Sequence, residues 1–175
     1  ETPEARSYLA GLAGLGSEQI RVLSYPHPFN YAAINNFAVT QARGELTLLL
    51  NNDTAVLHAH WLDTLVSLAL RPEVGLVGPK LLYPDGTVQH GGVVLGLMIP
   101  TQLYRDLGGM DEEAFKVSYN DVDLCMKVRA AGYLAVWTPH ACLLHEGSVS
   151  QRQVDRTAQE AKRVRFVAEQ DAFYA

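Results

Sequence analysis

The sequence predicts an α/β domain, a mostly parallel sheet flanked by helices with a β-hairpin inserted. Three observations carry this. Short apolar runs of strand length alternate with longer stretches whose apolar residues recur at helical spacing. One of those runs, Leu48-Leu49-Leu50, passes without a break into Asn51-Asn52-Asp53-Thr54, as a buried strand does on reaching the rim of a sheet. Finally, Pro84-Asp85-Gly86 separates Leu81-Leu82-Tyr83 from Thr87-Val88-Gln89, and Asp-Gly supplies the positive φ that a tight hairpin needs.

The elements follow in order. Thr2 and Pro3 make a helix start, and Tyr8, Leu9, Leu12 and Leu15 continue it at helical spacing into a glycine-rich, fraying end. Ile20 to Ser24 predicts a short strand, and the two prolines of Tyr25-Pro26-His27-Pro28 a loop. Residues Tyr31 to Gln41 predict a helix that buries Ile34, Phe37 and Ala38 and ends before Gly44. The leucine strand comes next, read as an inner strand, and then an amphipathic helix from Trp61 to Leu70 stopped by Arg71-Pro72. Val74 to Gly78 predicts a strand before the hairpin. A short helix at Leu103 to Leu107 closes on Gly108-Gly109, and an acidic loop opens at Met110-Asp111-Glu112. Asn120 to Ala131 predicts a helix, Leu134 to Trp137 and Ala141 to Leu144 strands, and Val154 to Ala172 a charged helix.

Composition narrows the function classes. With 175 residues, 48% apolar and 19% charged, the chain can bury a real core as one domain. A net charge of −5 gives no general attraction to nucleic acid, and Lys and Arg cluster strongly only at Lys162-Arg163-Val164-Arg165. Two cysteines, Cys125 and Cys142, without Cys-x-x-Cys spacing, argue against a zinc ribbon or a disulfide framework and fit a reducing compartment. The apolar runs are too short to span a bilayer and the N-terminus lacks a signal-peptide plan, so a cytoplasmic protein is expected.

Singly, the candidate residues have bland readings beside their chemical ones. Asn51-Asn52-Asp53 at a strand end can face a cation or phosphate, or serve as turn and cap residues. Asp123 with Asn120 resembles a capping box. Asp121 shares a helical face with Cys125 and Val128, which puts a carboxylate at the mouth of an apolar surface where burial raises its basicity. His58-Ala59-His60 lacks a third ligand at helical spacing and reads as loop and helix start. His145 follows an apolar strand and precedes Glu146-Gly147-Ser148, placing an imidazole at another strand end.

Together, Ala33, Asn36, Ala42-x-Gly44-Glu45, the strand into Asn51-Asn52-Asp53-Thr54, Gly108-Gly109-Met110-Asp111, Tyr119 to Cys125, Ala131-Gly132-Tyr133, His145 and Ser148 make an ordered set. That set, over roughly Ser24 to Ser150, resembles the inverting family-2 glycosyltransferases with the GT-A fold. Pro84 to Val93 is similar to the corresponding stretch of bacterial rhamnosyltransferase-like enzymes of surface-polysaccharide assembly. The resemblance implies metal-dependent transfer of a sugar from a UDP- or dTDP-sugar to a saccharide or lipid-linked acceptor, with Mg2+ or Mn2+ as cofactor. It makes Asp121 the general base. Asn36, Asn51, Asn52 and Asp53 would contact the donor, and Asp53 and His145 the metal. The acceptor class fits peripheral association with the inner face of a membrane, and nucleic acid is not an expected partner.

The departures matter too. Asn51 stands where the family has an acid, Asn120 where Glu is usual and Lys127 where Arg is common. The resemblance further implies one glycosyltransferase domain over 1–175, incomplete at its N-terminus, where the family has a strand that helps hold the base and ribose. Within it, 19–100 would form the donor and metal half, 101–150 the acceptor and catalytic half and 151–175 a C-terminal helix, alongside further domains of a longer chain. A shortened segment is expected between Val94 and Met98. The alternative reading is a non-catalytic or truncated transferase-like module that binds saccharide or a partner protein; a two-metal phosphohydrolase finds no second carboxylate cluster to support it.

Overall fold

The computed structural model describes residues 2–90, 96–146 and 156–174. Its elements are α1 (Pro3–Gly14), α2 (Tyr31–Thr40), β1 (Leu46–Leu49), β2 (Thr54–Val56), α3 (Trp61–Ala69), β3 (Val74–Leu82), β4 (Val88–His90), β5 (Leu97–Pro100), α4 (Thr101–Asp106), α5 (Asn120–Ala130), β6 (Leu134–His145) and α6 (Arg156–Tyr174). The expectations for Gly91-Gly92-Val93, for the shortened segment from Val94, for Ser148 and for a helix start at Val154 lie wholly or partly outside the described residues.

Five strands lie in the order β1-β5-β3-β6-β2, and β4 joins on β3. The α/β class holds, but the parallel share is one pair, β3 with β6, and every other pairing is antiparallel. Parallel neighbours need a crossover, which the chain supplies between β3 and β6 through α4 and α5; the short strands β2, β4 and β5 pair antiparallel instead. Two pairs of predicted strands are each one strand. Val74 to Gly78 continues into Leu81-Leu82 as β3, and Leu134 to Trp137 continues into Ala141 to Leu144 as β6. The β3–β6 register slips from Pro79↔Thr138 to Lys80↔Cys142, so residues 139–141 are passed over where Pro139 has no N–H to give to the ladder. The hairpin is as expected, with Gly86 at φ 83 in its turn and Leu82 paired with Val88.

One expectation at the other end of the sheet is corrected. Ile20 to Ser24 forms no strand, and Ile20, Val22 and Leu23 stay largely exposed, because no described strand offers that segment a ladder. For the same reason β1 is a terminal strand among the described residues, pairing antiparallel with β5 alone, and Leu50 is exposed just past it. The leucine run reaches the rim as read; the inner-strand reading set its further neighbours outside this sequence, and the edge position within the described sheet does not contradict it.

Alternation along the strands directs side chains to both faces. On one face Leu76 and Ile99 pack with Val39, Tyr104, Leu124 and Val128, covered by α2, α4 and α5. On the other, Val77 and Met98 pack with Leu65, Ala69 and Ala141 beneath α3. Each fully buried leucine or valine contributes roughly 1.5–3 kcal/mol of apolar transfer. Helix α2 buries Ala32, Ala33 and Val39 in place of the expected Ile34, Phe37 and Ala38; its small side chains face the sheet and let the helix approach closely. Helix α1 starts as expected, with Thr2 Oγ1 accepting from the Ala5 N–H at 3.2 Å, and buries none of its residues.

Candidate active site

The antiparallel pairing of β2 with β6 matches Thr54 with His145, and the Glu146 N–H donates to the Asp53 carbonyl at 3.1 Å. The ladder therefore sets Asp53 and His145 side by side at the rim, although 92 positions separate them in sequence. Their side chains meet, Asp53 Oδ1 lying 3.0 Å from His145 Nε2. His145 is buried, and its other nitrogen, Nδ1, lies 2.7 Å from Gln89 Oε1 on β4. An amide oxygen only accepts, so Nδ1 carries the hydrogen and Nε2 is the lone-pair nitrogen of the neutral ring. Facing a carboxylate at 3.0 Å, that lone pair needs either a proton or a cation between the two groups.

A divalent ion fits this donor set. Adjacent ligands on an octahedral magnesium-type ion with bonds of about 2.1 Å are about 3 Å apart, the separation found here. A second partner that fixes the imidazole's tautomer is the usual companion of a metal-bound histidine. Among the described residues no cluster of three His, Cys, Asp or Glu side chains gathers, so within that set Asp53 and His145 are the pair that would hold the ion.

Asn51 and Asn52 line the same cleft. Asn51 is oriented from α2, where the Tyr31 hydroxyl donates to its Oδ1 at 3.0 Å, and the Thr54 hydroxyl braces the turn by donating to the Asn51 carbonyl at 2.7 Å. Burial, and after it the charge of Asp121, push the Tyr31 phenol up to about 12, with a smaller push from Asp53; it stays a hydrogen donor. Asn36 is placed elsewhere. Its amide is fully used in bracing the Gly108-Gly109 loop: Oδ1 accepts from the Tyr104 hydroxyl at 2.5 Å and the Met110 N–H at 3.0 Å, while Nδ2 donates to the Met110 carbonyl at 2.9 Å and Glu112 Oε1 at 2.8 Å. Gly109, at φ 70, lets the loop come this close, since a Cβ there would lie 2.4 Å from Asn36 Oδ1. The structure thus shows Asn36 bracing a loop, not lining the cleft.

Asp121 enters the cleft from the first turn of α5, buried on one face with Cys125 and Val128 as the sequence pattern suggested. Burial pushes its carboxyl up to about 6, outweighing the hydrogen bond from the Val122 N–H at 2.8 Å. The same burial, reinforced by Asp121, raises the Cys125 thiol to about 12 and leaves it inert. The expected capping box is absent. The N-cap is Tyr119, and Asn120 is buried and donates to the Val117 carbonyl at 2.8 Å, while Asp123 pairs with Lys127 at 2.8 Å one turn on.

Tyr119 is left-handed, at φ 63, the one described non-glycine residue with a positive φ. Such a backbone persists where its surroundings hold it. Here α6 does so: the Tyr119 ring stacks on Phe173 at 5.1 Å and touches Phe166 at 5.7 Å. Glu169, 3% exposed, accepts from the Val117 and Ser118 N–H groups at 3.1 and 2.9 Å. The loop that delivers Asp121 is thereby clasped to a helix 51 positions later.

The resulting cleft, about 970 Å³, brings together Asn51, Asn52, Asp53, Asp121 and His145. The sequence reading missed Tyr31, Gln89 and α6. Gln89 was read only as a hairpin residue. The basic cluster of α6 was noted, but nothing in the sequence says that Lys162, Arg165 and Phe166 face this cleft.

No protein-family model matches the chain. An uncharacterized protein of Sinorhizobium fredii is 40% identical over 193 residues, covering 89% of this chain and 21% of that protein. The O-antigen biosynthesis protein RfbC of Myxococcus xanthus is 41% identical over 167 residues, covering 74% of this chain and 13% of that protein. The chain therefore spans about a fifth or less of the length of the curated relatives it matches. The first alignment is longer than the chain's 175 residues, so that relative carries inserted residues within the matched stretch. Among solved structures, a mannosyltransferase from Pyrobaculum calidifontis in complex with GDP-Man and Mn2+ superposes with a TM-score of 0.65 at 17% identity, covering 94% of this chain and 48% of that one. GalNAc-T7 with UDP, GalNAc and Mn2+ superposes with a TM-score of 0.69 at 12% identity, covering 100% and 43%. With its mixed, curled sheet and these neighbours, the chain has the GT-A glycosyltransferase fold.

Proposed function

We propose that this chain is a glycosyltransferase domain that moves a sugar, with inversion, from a nucleoside-diphosphate sugar to a saccharide or lipid-linked acceptor in surface-polysaccharide assembly. The observation that carries the reading is the convergence in one cleft of a histidine–carboxylate pair suited to a divalent ion and a separate buried carboxyl with a pKa raised to about 6. A carboxyl of that kind is ionised at neutral pH yet basic enough to serve as a general base. The relative named for O-antigen biosynthesis supports the polysaccharide context, and the neighbours' Mn2+ and nucleotide ligands support the donor class.

In this reading residues 19–100 form the donor side and 101–150 the catalytic side. Asp53 and His145 would hold Mg2+ or Mn2+, which when bound offsets the negative charge gathering on the leaving diphosphate as a Lewis acid. Asn51 and Asn52 orient the donor. Asp121 accepts the acceptor hydroxyl's proton while that oxygen bonds to the anomeric carbon and the bond from that carbon to the diphosphate oxygen breaks. One displacement inverts the anomeric centre. UDP- and dTDP-sugars are the donors to test first, with GDP-mannose beside them.

The test is incubation of the protein with each donor, Mn2+ and a panel of saccharide acceptors, reading the product's anomeric configuration by NMR. Inverted product that disappears with EDTA, together with weaker Mn2+-dependent UDP binding by Asp53→Ala in calorimetry, is the expected result. A product of retained configuration removes Asp121 as the base for a single displacement, and unchanged UDP affinity in Asp53→Ala removes the metal assignment.

A further inference from the structure

The basic cluster of α6 has no role in the reading so far. Along this helix Lys162, Arg165, Phe166, Glu169 and Phe173 recur at spacings of three and four residues, so they share one face. The far end of that face is anchored: Glu169 holds the Val117 and Ser118 amides, and Phe173 stacks on Tyr119. The near end places Lys162, Arg165 and Phe166 on the lining of the cleft that Asp53 and His145 also line.

The two cations are incompletely partnered within the described residues. Among the described residues no carboxylate lies within ion-pair distance of Lys162. Arg165 Nε is buried without a hydrogen-bond partner, its nearest carboxylate oxygen being Glu169 Oε1 at 3.8 Å. Glu169 accepts from two backbone amides and also lies within ion-pair distance of the Arg165 guanidinium, at 3.8 Å too far for a hydrogen bond to Nε. A buried N–H without an acceptor is costly, so the Arg165 side chain has hydrogen-bonding capacity that the described residues leave unused. Arg163, on the outer side of the same helix, is exposed.

We infer that Lys162 and Arg165 form an anion-binding part of this cleft and hold the diphosphate of the sugar donor together with the Asp53–His145 site. The assignment rests on the proposed transferase reading and adds residues to it. Arg165 presents a planar fork suited to two phosphate oxygens, and Lys162 a point charge beside it. The cleft then carries both cation-holding groups and cations, so a metal-complexed diphosphate meets complementary charge from each. A phosphate could also arrive on a lipid-linked acceptor, and the arms of the test separate the two sources.

The experiment titrates the protein by calorimetry, in the presence of Mn2+, with UDP, with inorganic pyrophosphate and with farnesyl phosphate. Lys162→Ala/Arg165→Ala should weaken UDP and pyrophosphate binding about 100-fold, roughly tenfold for each lost charged contact. Arg163→Ala, which removes the same charge from the outer face, should leave both unchanged. Lys162→Gln/Arg165→Gln should repeat the loss, with circular dichroism spectra matching the parent protein. Wild-type affinity for UDP in both double variants overturns the inference, and if Asp53→Ala still loses binding, the transferase reading survives it. Equal weakening by Arg163→Ala reduces the effect to overall charge and also overturns it. A loss confined to farnesyl phosphate moves the contact to the acceptor and rejects the donor assignment. Failure of the wild-type protein to bind any nucleoside diphosphate with Mn2+ rejects the transferase reading itself.

Discussion

Asp121→Asn removes one charge and almost no volume, so it separates what the carboxylate does for the fold from what it does for the reaction. In the folded chain burial raises this carboxyl from 3.8 to about 6. The folded state therefore holds the proton more tightly than the unfolded state, and Asp121 favours folding only while it is protonated. Its contribution is complete below about pH 4, declines as pH rises from there to about 6, and is absent above. A shift of about two units corresponds to roughly 3 kcal/mol. The asparagine carries no charge to desolvate, and its Oδ1 can still accept from the Val122 N–H. The variant should match the parent protein near pH 4 and exceed it at pH 8 by up to about 3 kcal/mol, a rise in Tm of roughly 6–12 °C for a domain of this size. Turnover should fall by roughly 10²–10⁴, the usual worth of a general base. The parent protein's kcat/KM should rise with pH through about 6 and then level off. Thermal melts at pH 4 and pH 8 and initial rates across pH 5 to 8 measure both sides. A variant no more stable at pH 8 than its parent would refute the desolvation argument, and one with normal turnover would remove Asp121 from the chemistry.

Three further substitutions probe the supports of the site. Gln89→Leu frees His145 Nδ1 and should weaken Mn2+ binding 10- to 100-fold in calorimetry, the usual cost of losing a partner behind a metal ligand; unchanged affinity would leave Gln89 a hairpin residue. Gly109→Ala drives a methyl to 2.4 Å from Asn36 Oδ1 at a left-handed φ and should cost about 1–3 kcal/mol, read as a lower urea midpoint. An unmoved midpoint would mean that the Asn36 bracket yields freely. Glu169→Ala orphans two backbone amides, at about 1–3 kcal/mol for each group left unsatisfied. Faster hydrogen exchange at Val117 and Ser118 should accompany the loss, and exchange at the parent rate would show that the clasp does not hold that loop.

Much of the site was legible because its residues sit where period and punctuation change. Leu48 to Leu50 running into Asn51-Asn52-Asp53 marks a rim, and Asp121 one turn below Cys125 marks a carboxylate over an apolar face. Both readings use local pattern, which the fold preserves. Strand direction was not legible, since an apolar run of four residues has the same composition in a parallel or an antiparallel pair. Leu97 to Pro100 and Thr54 to Val56 are too short to announce a partner. The bonds of Asn36 were not legible for a related reason: an asparagine on a helix shows that hydrogen bonds will be made, and only the folded Gly109 loop shows with what. Gln89 meets His145 across 56 positions and α6 is clasped to its loop across 51, separations at which neither spacing nor composition carries a signal.

The Glu169 clasp has a consequence for how the domain is made. At roughly 5–20 residues per second, a ribosome releases the loop that carries Asp121 some seconds before the helix that fixes it. During that interval the Val117 and Ser118 amides lack the Glu169 carboxylate and the Tyr119 ring lacks Phe166 and Phe173. A nascent chain from which α6 has not yet emerged thus lacks the clasp that fixes the loop carrying Asp121.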